Sequence, residues 1–512
     1  MSEDLVLVHD LGTTGAKTAL FSSDGHLRRQ VLRPYDTVYG PGGLVEQDAE
    51  HWWRAVQENT REIMAATSAQ RIRAVGLSGH MMGGVPVDAR LVPLRPAMIW
   101  ADTRARPQAE RLAKALGVEA VLRLSGSRPN PSYLGPKLRW LLDNEPGLME
   151  RAYKMLHPKD FVAARLTGEV ATDYGDATGT NLFDLRARQW SDVLMNSLGV
   201  PQELLPPVHA ATDVIGGVSA AVAREMGLVP GTPVVIGSGD GPCAGTGAGA
   251  TRVGESHMYL GSSAWIAVTA AEPLVDRELR TFTMCSVDPR LYQPTGTMQA
   301  AGLSVKWMRD RFADPERDVE ARTGVDAYGL LDLGAERIAP GADGVIFLPY
   351  LLGERSPWWD PHVRGSFLGL EAHHGPAQLF RAVLEGVAMN LRVILEAFQE
   401  SGLRPRSLRV IGGGAKSMLW LRILASVLAL PLEVLGEEIA ITARGAAVAA
   451  SVGVGLMPSV ESSGSGVAVR AVVEPDPGWR DRYADLYPFF VRSYQALAPL
   501  YGELAARRGA GS

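Results

Sequence analysis

Directly after the apolar run Leu5-Val6-Leu7-Val8-His9 the chain reads Asp10-Leu-Gly-Thr-Thr-Gly-Ala-Lys17, and a second apolar run, Thr18-Ala-Leu-Phe21, follows. The pattern is a strand ending in a carboxylate, a tight turn of glycine and hydroxyl residues, and a returning strand. A buried strand holds Asp10 rigidly where a magnesium ion and its waters need an anion. The small turn residues let backbone N–H groups approach a phosphate closely, and Thr13 and Thr14 add hydroxyl donors. The turn is neither a P-loop nor a dinucleotide fingerprint, because no helix follows the glycines and the spacing fits neither pattern. Taken alone, the same residues also describe an ordinary hairpin turn.

Three further segments shift that balance. Val234-Val-Ile-Gly-Ser-Gly-Asp240-Gly-Pro-Cys-Ala-Gly-Thr-Gly-Ala-Gly249 is an apolar strand that runs into a glycine-flanked aspartate, followed by a helix or loop of small residues. Glycine on both sides clears space for a large group to reach the carboxylate. Met258-Tyr-Leu-Gly-Ser-Ser-Ala-Trp-Ile-Ala-Val268 repeats the N-terminal logic of strand, hydroxyl turn and strand. Leu408-Arg-Val-Ile-Gly-Gly-Gly-Ala-Lys-Ser417 opens through three glycines onto a helix-like run ending at Leu428, where a nucleotide can lie flat against backbone. Together these segments suggest two similar lobes gripping a nucleotide between them.

Composition sets the frame for such a molecule. A chain of 512 residues exceeds what one core usually supports, so two domains are expected. Hydrophobic content of 46% is ample for two cores. A net charge of −5 argues against a nucleic-acid partner. Residues 1–8 carry acids and only a short apolar run, unlike a signal peptide, and no stretch is long enough to span a bilayer. Only Cys243 and Cys285 occur, so no disulfide framework is implied and a reducing, cytoplasmic setting is the expectation. Cys243 has no histidine nearby in sequence and reads as a small packing residue.

Along the chain, residues 5–22 and 72–88 read as β segments and Glu50–Ala66 as an amphipathic helix. The stretch Val218–Met226 reads as a helix stopped by Gly227, with Pro230-Gly231 as the turn before the Asp240 strand. The small residues Gly245–Thr251 suit a hinge at a lobe boundary near 245–255; glycine beside a ligand explains them equally well. Ser462–Gly466 reads as a surface loop. Trp479–Arg507 reads as a helical tail with an apolar stripe of Tyr483, Leu486, Phe489, Phe490, Tyr494 and Leu497. That stripe packs back on the body or, as in a homodimer, against a second subunit.

With these residues in view the chain resembles the FGGY family of carbohydrate kinases, within the actin/hexokinase-like ATPases. Val45-Glu-Gln-Asp-Ala-Glu-His-Trp-Trp53, Ile99-Trp-Ala-Asp-Thr-Arg104 and the run from Phe347 to Pro357, with Asp360-Pro361 and Arg364-Gly-Ser-Phe367, carry the resemblance. It extends over roughly residues 5–455 and, across Thr172–Thr180, is nearest the xylulokinases. It implies an α/β fold of two actin/hexokinase-like (ribonuclease H-like) lobes with a central nucleotide cleft. Residues 1–248 would form the N-terminal lobe, 249–455 the C-terminal lobe, and 456–512 a loop and helical tail.

The resemblance also implies roles. Phosphorylating an alcohol needs a base near the hydroxyl, a clamp on the triphosphate of ATP and a metal to neutralise charge. It assigns the base to Asp240, whose plain structural reading is a cap on the following helix. Asp10 would hold Mg2+ through water. Thr13, Thr14 and Lys17 would contact phosphates from the first lobe, and Gly261 and Ser262 from the second, with Ser262 where the family carries threonine. The segment Ala301–Trp307 adds Gly302 and Lys306 to the nucleotide contacts, although Lys306 alone reads as a solvated charge. Gly413 and Gly414 would border adenine and ribose. Glu354 and Arg355 form the strongest part of the signature and read as a structural ion pair near the cleft.

For the sugar, Gly76-Leu-Ser-Gly-His80-Met81-Met82-Gly83 aligns with the loop that touches substrate in xylulokinases, which usually read Gly-Gln-Met-His-Gly. Here His80 replaces the glutamine and Met82 the histidine. A thioether cannot donate to a sugar hydroxyl, so the accepted substrate could differ. His80 is placed to supply the lost donor, while Met81 and Met82 also suit plain core packing. Trp100, Asp102 and Arg104 match a sugar by type: an aromatic face for C–H groups, a carboxylate and a guanidinium for hydroxyls. Three functions follow: a kinase for a ketopentose such as D-xylulose, a kinase of the same fold for another ketose, alditol or sugar acid, or an ATP-binding module without kinase activity. Asp240 and the signature at 347–367 oppose the last. Glycerol is disfavoured, because glycerol kinases carry Gln-Arg-Glu where His80-Met81-Met82 stands.

Overall fold

The computed structural model describes residues 3–436 and 440–509. Its first sheet has six strands. They are β1 (Leu5–Leu11), β2 (Gly15–Ser22), β3 (Leu27–Pro34), β4 (Ile72–Gly79), β5 (Val214–Gly217) and β6 (Pro233–Gly239). The spatial order is β5-β6-β4-β1-β2-β3. β1, β2 and β3 form an antiparallel meander, while β4 lies parallel to β1 and β6 parallel to β4.

The second sheet has seven strands. They are β7 (Ser256–Leu260), β8 (Ala264–Val268), β9 (Phe282–Cys285), β10 (Tyr292–Met298), β11 (Leu408–Ile411), β12 (Leu432–Leu435) and β13 (Val469–Val473). Their order is β9-β10-β8-β7-β11-β12-β13. β7, β8 and β10 repeat the meander, and β11 and β12 run parallel to β7 as β4 and β6 run to β1. The two lobes thus share one plan, each with its hydroxyl turn between the first two strands.

All seven residues of β1 are buried, as a continuous apolar run demands of a central strand. Its side chains alternate. Leu5, Leu7 and Leu11 enter the core beneath helix α1 (Ala49–Met64), while Val6 and Val8 enter the core on the opposite face. Asp48 caps α1 by accepting the Glu50 N–H at 2.9 Å. The expected strand over 72–88 breaks in two: β4 stops at Gly79, and a short strand, Val85–Val87, follows a turn at Met82, whose φ of 68° no strand accommodates.

The face of Val6 and Val8 is covered by α2 (Asp240–Gly247) and α3 (Ile441–Gly453), although α3 lies far along the chain. These helices cross almost backbone to backbone. A Cβ on Gly445 would fall 2.0 Å from the Cys243 carbonyl oxygen, and one on Gly247 would fall 1.8 Å from that of Ile441. The small-residue run read as a hinge is helical through Gly247 and fully buried, so close packing accounts for its glycines. The long helix α4 (Pro376–Glu400) fills the second core. The terminal helix α5 (Pro477–Gly509) seats Tyr483, Tyr487 and Phe490 on that core, and Tyr483 donates to Glu385 Oε1 at 2.7 Å. The apolar stripe therefore packs on its own chain, except for Phe489, which is exposed. Ser462–Gly466 belongs to a 3-10 turn with Ser463 buried, rather than to an open loop.

Within β6 the register with β4 shifts between Val235 and Ser238. Gly237 makes this bulge, with φ of 64° and its Cβ position only 1.7 Å from the Leu77 carbonyl oxygen. The bulge sets the exit of β6 and hence the placement of Asp240. Gly237→Ala is expected to lower the melting temperature by several degrees, since the left-handed backbone alone costs about 1–2 kcal/mol and the steric overlap adds to it. A thermal unfolding scan that superimposes on wild type would contradict this account of the bulge.

Candidate active site

The hydroxyl turns of the two lobes face one another across a cavity of about 680 Å³, lined by Thr13, Thr14, His80, Met81, Met82, Trp100, Asp240, Ser262 and Arg355 among others. A neighbouring cavity of about 440 Å³ is lined by Gly412, Gly413, Ala415, Lys416, Leu435, Ile441 and Arg470. Asp240, Tyr259 and Trp265 border both. The two rings stack, with centroids 4.1 Å apart and an interplanar angle of 17°. Asp240 is the first residue of α2, and Gly239 occupies the cap position, so the plain capping role does not apply. Burial, followed by the charges of Asp10 and Asp176, pushes the Asp240 carboxyl up to about 7.

Asp10 is the penultimate residue of β1 and is buried. Burial raises its pKa, while Lys17, directly opposite it across the hairpin, pulls it back. Neither residue is among those lining these two cavities, and the attraction places the Lys17 charge beside Asp10. Gly261 and Gly302 are structural partners of the second hydroxyl turn: the Gly302 N–H donates to the Gly261 carbonyl at 2.8 Å, and a Cβ on Gly302 would sit 2.4 Å from that oxygen. Ser262 lines the cavity. Lys306 does not; it is solvent-exposed and paired with Asp310 on the next turn of its helix. Gly414 also lies off the smaller cavity, its Cβ position 2.5 Å from the Leu260 side chain, and the glycine that lines the cavity beside Gly413 is Gly412.

On one side of the larger cavity Met81, Met82, Phe282 and Met284 form an apolar wall with Trp359. His80 is buried, its ring meets Trp52 edge-on at 5.6 Å, and both ring nitrogens lack a hydrogen-bond partner among the described residues. Burial, then Lys137 and His157, lowers its pKa to about 3, so the ring is neutral. Trp100 is exposed and donates to the Thr13 hydroxyl at 3.0 Å, tying its loop to the first hydroxyl turn. Asp102 is not in the cleft. It is fully buried and accepts the Val45 N–H at 2.9 Å and the Arg104 guanidinium at 2.7 Å. Arg104 is spent on Asp102, on Glu46 and on the Trp140 face. Both hold the loop rather than a substrate.

Glu354 and Arg355 are not an ion pair. Glu354 points into the core, where Oε1 accepts the Gln299 and Arg355 N–H groups at 2.7 and 2.8 Å and Oε2 accepts from Asn390 at 3.1 Å. Arg355 lines the cavity, while Glu354 does not.

Two buried lysines escaped sequence reasoning. Lys137 donates to the Met82, Ile99 and Ser132 carbonyls at 3.3, 2.6 and 2.5 Å and so pins the loops carrying Met82 and Trp100. Lys159 meets Asp160, Asp173 and Asp176 at 2.7, 2.9 and 3.2 Å. Burial opposes its charge, yet the three carboxylates hold its pKa well above the ordinary value. The buried group His157, Asp160 and Asp176 has the spacing of a metal cage, but this ammonium already balances it. Asp176 lies 2.9 Å from the Cβ position of Gly239, next to the catalytic candidate. A lone lysine in His157-Pro-Lys-Asp-Phe161 carries no periodic signal that would have revealed it.

Two lobes of one plan, each offering a hydroxyl turn to a shared cleft with an aspartate at its centre, define the actin/hexokinase-like class of phosphotransferase folds. Residues 5–247 match the N-terminal domain of the FGGY family of carbohydrate kinases and residues 257–454 its C-terminal domain, and the chain belongs to that family. It is 31% identical over 454 residues to a xylulose kinase of Bacillus subtilis (strain 168), covering 88% of this chain and 89% of that one. It is 28% identical over 497 residues to a gluconokinase of the same organism, covering 97% and 96%. A solved gluconate kinase and a solved ligand-bound xylulose kinase from Lactobacillus acidophilus each superpose with a TM-score of 0.91 at 25% identity, over 98% of this chain and 100% of theirs.

Burial pushes the Glu354 carboxyl from 4.5 up to about 8. A folded-state pKa above the unfolded one gives stability that is full below the unfolded value and is lost as pH climbs through about 8. Glu354→Gln never ionises. The stability of wild type relative to this variant is therefore expected to fall between pH 5 and pH 8, by at most about 1.4 kcal/mol per pH unit. Melting temperatures that stay parallel over that range would refute the buried, protonated carboxyl.

Proposed function

We propose that the protein transfers the terminal phosphoryl group of ATP to a hydroxyl of a small sugar or polyol, with D-xylulose as the leading acceptor. The observation that carries this reading is the position of Asp240, which borders both cavities of the cleft. A hydroxyl in the larger cavity would attack the phosphorus while its proton passes to an Asp240 carboxylate oxygen; the bond to the bridging oxygen breaks and ADP leaves. An alcohol is too weak an acid to ionise beforehand, so proton transfer accompanies O–P bond formation. Thr13, Thr14 and Ser262, from opposite lobes, would orient the phosphates. Gly412 and Gly413, with Tyr259 and Trp265, would receive the nucleoside.

Mg2+ fits this cleft. Asp10, on β1, and Asp240, the first residue of α2, lie close enough for one charge to raise the pKa of the other, an arrangement that a divalent cation relieves. When bound it would neutralise charge on the phosphates. Among the described residues no helix is long and apolar enough to cross a membrane.

The sugar would lie against Trp100 and the methionine wall, with the neutral His80 ring supplying the hydrogen bond that Met82 cannot. Binding there would close the lobes and expel water that competes for the phosphoryl group. A second reading, an acidic sugar as acceptor, is favoured by the gluconokinase and gluconate kinase among its relatives.

Asp240→Asn keeps the shape of the side chain and removes the base. It is expected to lower kcat at least 10²-fold in an ADP-release assay on D-xylulose, with the melting temperature unchanged or raised. Full activity in this variant would sink the assignment. A panel of pentuloses, hexuloses, alditols and aldonates identifies the acceptor. Replacing Met82 with histidine is expected to favour ketopentoses several-fold over other acceptors in kcat/KM, and an unchanged ranking would remove Met82 from substrate contact.

A further inference from the structure

Outside the cleft, on the second lobe, lies a cavity of about 510 Å³ with Arg252, Arg404, Arg406 and Arg409 in its lining. Two carboxylates, Glu255 and Glu433, share that lining, and both are occupied. Glu255 Oε2 accepts the Thr251 and Arg252 N–H groups, each at 2.9 Å. Glu433 accepts the Ser407 hydroxyl at 2.6 Å and Arg409 Nε at 3.2 Å. Arg252 is matched by Glu461 at 3.0 Å. Arg404 and Arg406, exposed on either side of the buried Pro405, make no hydrogen bond and no ion pair among the described residues. A chain of net charge −5 thus gathers four guanidiniums around one hollow and leaves two of them unmatched.

The hollow lies at the opposite end of the strands that reach the cleft. It borders the start of β7 at Ser256 and of β11 at Ser407, while the far ends of these strands lead into Ser262 and Gly412, which line the two cavities of the cleft. It also borders the segment that joins α2, in the first lobe, to β7 in the second. Arg409 Nη1 donates to the Ala248 carbonyl at 3.2 Å, beside Arg444, which donates to that of Gly247 at 2.9 Å. Two cations therefore hold the carbonyls at the end of α2, where the helix dipole favours them. The other end of α2 carries Asp240.

Each guanidinium fork suits two oxygens of one phosphate, so two unmatched forks with Arg409 beside them suit a ligand bearing more than one phosphate. The volume is that of a small-molecule site. Charge confined to a hollow differs from the extended basic face that a nucleic acid requires.

We propose that this cavity binds a small molecule carrying two or more phosphate groups, and that its occupation weakens nucleotide binding in the cleft. The second part rests on the reading of the cleft as a nucleotide site. The ligand would engage Arg404 and Arg406 and compete with Glu433 for Arg409. Drawing Arg409 toward the ligand removes one of the two cations at the end of α2, and the starts of β7 and β11 are shifted together. By linkage, nucleotide in the cleft weakens the ligand by the same factor.

The test titrates inorganic phosphate, inorganic pyrophosphate and D-glucose 1,6-bisphosphate calorimetrically into the full chain, with the cleft saturated by ADP and Mg2+. Wild type is compared with the double variants Arg404→Ser/Arg406→Ser and Arg404→Lys/Arg406→Lys, whose changes lie on exposed side chains away from the cleft. The expected result is that wild type binds the bisphosphate at least about tenfold more tightly than phosphate, that the serine variant loses at least about tenfold in that affinity, and that the lysine variant keeps part of it. Saturating bisphosphate is expected to weaken ADP binding to wild type by at least about threefold and to leave ADP binding to the serine variant unchanged. Binding of pyrophosphate as tight as that of the bisphosphate would support an inorganic ligand, and preference for the bisphosphate a phosphorylated metabolite. Probe affinity equal in wild type and the serine variant, or a loss of ADP affinity that persists in that variant, would place the probe in the cleft and overturn the proposal. Bisphosphate bound through Arg404 and Arg406 with ADP affinity unmoved would overturn the coupling. Failure of wild type to bind ADP at all, with the bisphosphate still bound through these arginines, would overturn the reading of the cleft instead.

Discussion

The architecture hinges on one crossing, where α2 and α3 meet almost backbone to backbone. Gly445 lies against the Cys243 carbonyl and Gly247 against that of Ile441, at separations that leave no room for a methyl group. Because α2 begins with Asp240, this contact fixes the height of the carboxylate above the cleft floor. Because α3 follows the nucleotide-side strands β11 and β12 yet packs on the first sheet, the same contact joins the two lobes. Fold and chemistry therefore meet in one steric constraint. The alanine-rich sequence of α3 gives up side-chain burial in exchange for backbone proximity.

Charge is managed in two layers around that constraint. Three carboxylates stand behind the cleft floor on Lys159, and Asp176 among them is pushed up to about 7, first by burial. In front of them stand Asp10 and Asp240. A single buried ammonium thus offsets charge in a region that gathers five aspartates. Lys137 serves the cavity wall in another way, by satisfying three carbonyls where the loops of Met82 and Trp100 turn.

Much of the lobe plan was legible in the sequence, because strand–turn–strand patterns with glycine and hydroxyl residues are local. Asp10, Thr13, Asp240 and Ser262 could be singled out for that reason, as could the helix stop at Gly227, whose φ is 76°. What failed was long-range. Asp102 and Lys306 are the right residue types beside the right motifs, but Val45 and Arg104 consume the first and Asp310 holds the second at the surface. Adjacent charges such as Glu354 and Arg355 read as a pair in one dimension, although consecutive side chains diverge from the backbone. Lys159 had no local pattern, since its three partners are brought to it by tertiary packing.

Tyr259 and Trp265 face both chambers of the cleft from a single stacked unit. The two chambers consequently share a wall at this point, one ring pair thick, instead of having two independent linings. A substitution at either ring reshapes both chambers together.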